Sequence, residues 1–164
     1  MSGASSWSFH EEDYGRIQEI LAAFLRESGS RTALIVDRTG QLVATVGETP
    51  TFDPTAFASL TAADFSANDQ LARMLGEPEF GALFHQGERE SMYLADIARR
   101  VILVVLFDHR TTLGLVKLRV RSAVADLNRV FAEMFSRDGA GSSPPVESEF
   151  LGEAEDEIDR LFGP

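Results

Sequence analysis

Histidine, the side chain most often used for proton transfer near neutral pH, occurs only three times, at His10, His85 and His109. No His-x-x-His or His-Glu-x-x-His spacing joins any two of them, so they carry no local metal signature. Asp108 and His109 are adjacent in a segment that reads as a turn, where neighbouring side chains seldom point at one another. No Gly-x-Ser-x-Gly accompanies them to supply a nucleophile. Gly-x-x-x-x-Gly-Lys-Ser/Thr is also missing, which excludes a P-loop nucleotide hydrolase. Lys117, Arg119 and Arg121 alternate as a strand margin would, and the acids of the C-terminal segment suit a solvated helix face rather than a glycosidase pair. The histidines are expected to be structural or solvated. The residue chemistry points to no active site, no metal and no cofactor.

The bulk properties agree. A chain of 164 residues is expected to form one domain. Cysteine is absent, which removes disulfides and thiolate chemistry and fits a reducing compartment. No apolar run of membrane-spanning length occurs, and the start "MSGASSWSFHEEDYG" has no basic, apolar leader. The net charge of −11 argues against nucleic acid as partner. From Asp138 onward eight acids face one base, Arg160, so the C-terminal stretch carries most of that charge.

Which elements would position these residues? "EEDYGRIQEILAAFLRES" places Ile17, Ile20, Leu21, Phe24 and Leu25 on one helical stripe, with acids in its first turn and Gly29 as a stop. The runs 32–36 and 41–46 flank Asp37-Arg-Thr-Gly40, the pattern of a β-hairpin around a type I turn. Asp53-Pro54 reads as N-cap and first helical position. The second helix follows to about Leu75, with Phe57, Leu60, Ala67, Leu71 and Leu75 as its apolar stripe and Asp64 and Asn68 on the same side. The segment "PEFGALFHQGERE" is expected to be a short helical turn and a loop. Strands follow at 91–96 and 101–107, joined tightly at Ala98-Arg99. "TTLGLVKLRVRSAV" is expected to begin as a third strand and to become a helix near Val120–Ser122. The architecture predicted is α+β: a five-stranded antiparallel sheet with helices on its faces, in the order α-β-β-α-β-β-β-α, plus a C-terminal amphipathic tail helix. The organisation expected is an extension at 1–10, the domain at 11–137, a Gly/Ser/Pro linker at 138–148 and an acidic amphipathic segment at 149–164. The strand at 91–96 is expected to be an unguarded edge.

The succession "LIVDRTGQLVAT", "SLTAADFSANDQLARMLGE", "FHQGERESMYL", "RVILVVLFDHRTTLGLVKLRV" and "DEIDRLF" resembles the Roadblock/dynein-light-chain family, and within it the MglB-type bacterial regulators. The resemblance implies edge-to-edge homodimers. It also implies a non-enzymatic regulator that binds a Ras-like small GTPase of the MglA type and stimulates its GTP hydrolysis by shifting the GTPase's own switch elements. A role in cell polarity and motility follows, with a cytoplasmic location concentrated at a cell pole. A Roadblock scaffold or heterodimer subunit that binds without activating is the alternative.

The resemblance also puts the second helix on the partner surface. At about 100° per residue, Ala62, Phe65, Ser66, Asp69 and Arg73 cluster opposite Leu60, Asp64 and Leu71, and are expected to bear recognition. Phe150, Ile158, Leu161 and Phe162 form the tail stripe expected to make a second contact with the GTPase. Deleting residues 139–164 should leave the thermal midpoint and the homodimer unchanged, because a linker of this composition carries few packing contacts. Scanning calorimetry and sedimentation of the truncated chain check this.

Overall fold

The computed structural model describes residues 10–140. The chain divides into two compact units, of which Phe9–Ala132 is one, and the second takes in the residues from Glu133. The elements are α1 (Glu11–Ser28), β1 (Thr32–Asp37), β2 (Leu42–Gly47), α2 (Pro54–Met74), β3 (Ala82–Gln86), β4 (Glu90–Ile97), β5 (Val101–Asp108) and α3 (Leu113–Ala140). All strand pairs are antiparallel and the sheet order is β2-β1-β5-β4-β3.

Local signals set the boundaries. α1 stops at Gly29, whose left-handed φ of 71° lets its N–H reach the Leu25 carbonyl at 3.0 Å. The hairpin turns on Asp37, a buried carboxylate that accepts from the Thr39 N–H at 2.7 Å and its hydroxyl at 2.5 Å, while Gly40 closes the turn onto the Asp37 carbonyl. Asp53 caps α2 by accepting from the Thr55 N–H at 3.0 Å, and Pro54 opens the helix.

β1 is buried at every position and β5 at most, so both faces of the sheet centre are covered. α2 packs on one face, where Ala58, Ala62 and Phe65 meet Leu34, Val36, Leu94, Ile102 and Val104. Strand alternation turns Ala33, Ile35, Leu103 and Val105 to the other face. These are fully buried, as are Ile17 and Leu21 of α1 and Val116 and Leu127 of α3, two helices that line a common groove.

Three expectations are corrected. The segment 82–86 is a strand, β3, not a loop. Residues 116–121 are helical, so Lys117, Arg119 and Arg121 lie on α3 and not on a sheet margin; the third strand of the second half is β3. The strand at 91–96 lies within β4, flanked by β3 and β5, and the edges of the sheet are β2 and β3. α3 also runs through Ala140, past the expected linker start at 138. The tail residues Phe150, Ile158, Leu161 and Phe162 lie outside the described residues.

At one end of the sheet, Arg31 bonds Glu48 at 2.7 Å and also bonds Glu90, and Arg110 bonds Asp108 at 3.0 Å and reaches Glu48 at 3.5 Å. The hydrogen bond from Arg31 lowers the pKa of Glu48, and that from Arg110 lowers the pKa of Asp108. A carboxylate held below its unfolded pKa stabilises the fold fully above that value and loses the contribution as pH falls through the folded one. Stability should therefore be level above about pH 5 and fall below about pH 4. The fall should be shallower in an Arg31→Gln/Arg110→Gln variant, as urea titrations across that range would read.

Candidate partner-binding surface

α2 buries its small side. Ala58, Thr61, Ala62, Phe65, Asn68 and Ala72 face the sheet, and the close approach that alanine allows lets the sheet supply the bulk. The large apolar residues consequently point outward: Leu60 is 71 % exposed, Leu71 55 %, Met74 82 % and Leu75 74 %. At 3.6 residues per turn these four fall on one stripe with the exposed Ala63 and Ala67. A contiguous exposed apolar stripe of this kind is a candidate interaction surface.

This reverses the expected phase of the helix. Ala62 is 8 % exposed and Phe65 1 %, so neither can be the outward recognition residue predicted for it. Asp69 is mostly covered and bonds Arg38 at 2.5 Å. Ser66 and Arg73 are exposed as expected, on the flank of the helix rather than on the apolar stripe. The physical reason is that an interface face and a core face look alike in sequence. Large side chains at helical spacing read as core, whereas the core contact is made by alanines around one phenylalanine. Ala58, Ala62, Phe65 and Ala72, spaced four, three and seven apart, are the signal for the true inner face.

Arg38 fixes the helix in place. From the hairpin it bonds Asp69 on α2 and Asp96 on β4, and its guanidinium lies 5.0 Å from the centre of the Phe65 ring. Burial disfavours its charge, but the bonds to Asp96 and Asp69 outweigh burial and raise its pKa. The β4–β5 turn beside it places Ala98 and Arg99 at left-handed φ values of 54° and 57°. Hydrogen bonds from the Ala98 N–H to Asn128 at 2.9 Å and from the Arg99 N–H to Asp96 at 3.2 Å hold that conformation, which is unfavourable for residues with a Cβ.

β3 borders the stripe. It pairs only with β4, leaving its outer side open. Its His85 contacts Asp64 of α2 at 2.5 Å, so the edge and the helix form one continuous surface. In the sequence, Gly81 and Gly87, which bound the run, are the only sign of β3, and the contact leaves none. Among the described residues, no three His, Cys, Asp or Glu side chains gather as a metal site, and no helix is long and apolar enough to cross a membrane.

A five-stranded sheet of this order, with one helix on one face, two on the other and a free edge beside the single helix, defines a Roadblock domain. Residues 16–107, more than half of the chain, match the Roadblock/LC7 domain, and the chain belongs to that family. Among solved structures it is similar to MglB of Myxococcus xanthus, at 38 % identity and a TM-score of 0.70 over 73 % of this chain and 98 % of that one. It is likewise similar to the gliding protein MglB of Thermus thermophilus, at 35 % identity and 0.72 over 78 % and 97 %. An MglB with a tetrameric arrangement matches at 35 % identity and 0.73 over 79 % and 97 %. No curated protein matches at a significant level.

The phase of α2 is directly testable. Phe65→Ala should cost about 3–5 kcal/mol, the usual loss for a buried phenylalanine. Ser66→Ala, one residue on, should stay within about 0.5 kcal/mol. Urea unfolding of both at one protein concentration checks the contrast.

Proposed function

We propose that two copies of this chain join through the β3 edge and the neighbouring α2 stripe. The resulting pair of α2 helices binds a Ras-like small GTPase of the MglA type and stimulates its GTP hydrolysis. The protein has no active site of its own in this reading. It acts by binding the hydrolysis-competent arrangement of the GTPase better than the resting one. A bacterial polarity and motility role in the cytoplasm, concentrated at one cell pole, goes with that activity.

The observation that carries the reading is the exposed stripe Leu60, Leu71, Met74 and Leu75 beside an unpaired strand. It is too apolar to be left to solvent, and it lies on a helix that the sheet and Arg38 hold rigidly. The likeness of the chain as a whole to MglB, at 35–38 % identity, supports the choice of partner. The flanking Ser66 and Arg73 remain candidates for contact at the rim.

A single-turnover assay with a GTP-loaded MglA-type GTPase tests it. The wild-type chain should accelerate hydrolysis at least tenfold. Leu71→Glu should abolish the acceleration and lower the sedimenting mass to that of one chain, while the circular dichroism spectrum stays native. Unchanged hydrolysis with the wild-type chain, despite binding, would leave a scaffold in place of an activator.

A further inference from the structure

The edge opposite β3 is β2, which pairs only with β1. The Glu48 N–H bonds the Arg31 carbonyl at 3.0 Å. The alternation of an antiparallel ladder then turns the N–H and C=O of Ala44 and Val46 toward β1 and those of Thr45 away from it. Residues 42–46 hold no proline and no charged side chain, two devices that commonly guard an edge.

The edge also has a shaped wall. Ile35 opposes Ala44 and Val36 opposes Leu42, so Val43 is the extra residue of a bulge. Bulges re-aim side chains. Val43 lines a groove of about 610 Å³ together with His10, Glu11, Tyr14, Gly15 and Gln18, the start of α1 and the residue before it. A Cβ added at Gly15 would meet nothing within 4 Å, so the groove is open there. Glu11 lines it and Glu12 is next in the chain; both are exposed and neither makes an ion pair among the described residues.

A helix running beside an open strand edge is the arrangement into which an extended peptide inserts as an added strand. Main-chain bonds to the edge supply affinity, and alternate side chains enter the groove. We propose that β2 and α1 form a second binding site, distinct from the α2 surface. It takes an extended, β-branched segment of another protein that bears Lys or Arg at its end. Thr45 offers the main-chain donor and acceptor, Tyr14 and Val43 receive an apolar side chain, and Glu11 and Glu12 receive the cation. The acidic balance of the chain favours approach of such a segment.

The test uses the full chain and a fluorescein-labelled peptide, Lys-Thr-Val-Thr-Val-Thr-Lys, followed by anisotropy. Saturable binding is expected, with slowed amide exchange at Thr45. Gly15→Phe, at a position where an added Cβ meets nothing within 4 Å, should occupy the groove and weaken binding at least tenfold with no loss of thermal midpoint. Thr45→Pro, which removes an outward N–H and spares the β1 ladder, should do the same. Replacing both lysines of the peptide by glutamate should weaken it similarly, and Glu11→Lys/Glu12→Lys should reverse that preference. Leu71→Glu should leave peptide binding intact, which separates this site from the α2 surface. The proposal is overturned by absence of saturable binding at millimolar peptide, or by binding indifferent to both Gly15→Phe and Thr45→Pro. Binding that appears only after residues 1–9 are deleted would assign the groove to the chain's own N-terminal segment. A concentration-dependent mass increase abolished by Thr45→Pro would assign it to a second copy; either outcome also overturns the proposal.

Discussion

Everything distinctive about this surface follows from how closely α2 lies on the sheet. Alanine at 58 and 62 brings the helix backbone near Leu34, Ile102 and Val104, and Phe65 fills the remaining space. Once that side is committed to small residues, the bulky ones can only face outward. The helix therefore has two apolar sides, one packed on the sheet and one exposed. Arg38 makes the arrangement rigid, because a single guanidinium reaches α2, β4 and the Phe65 ring at once.

Most of the fold is legible where local chemistry decides it. Gly29, the Asp37–Gly40 turn, Asp53-Pro54 and the joint at Ala98-Arg99 each fall where the sequence puts them. The failures lie where tertiary context decides. β3 has five residues, none of them buried, so it leaves almost no periodic trace. The start of α3 looks like a strand because Val116, Leu118 and Val120 alternate with Lys117, Arg119 and Arg121. In the helix, Val116, Val120, Ala123 and Leu127 are buried and Leu118 is exposed. The sequence predicts five strands and five are found, but one of them is a different stretch of chain.

The candidate surface is legible as an element and not as a face. The family likeness points to the second helix, and apolar spacing then gives the wrong rotation. Leu60 and Leu71 have the size and spacing of core residues, and no propensity rule separates a side chain buried by its own sheet from one to be buried by a partner. Asp64 and Asn68, which sit oddly together on one predicted stripe, part company in the structure. Asn68 is buried among the small residues, while Asp64 meets His85 at the strand edge.

The sheet order has a kinetic side. β1 and β2 are joined by a tight turn, and β3, β4 and β5 follow one another as a meander. The seam between these halves pairs Thr32 with Leu106 and Asp37 with Val101. Closing that seam spans a far longer loop than any hairpin here, and loop entropy makes such a contact the slower one to form. α2 lies inside the loop. Whatever grips α2 in the native state draws the chain toward the closed seam, so apparent stability rises with the concentration of the bound molecule by mass action. A partner bound at α2, as proposed, would in this way favour folding through the same helix.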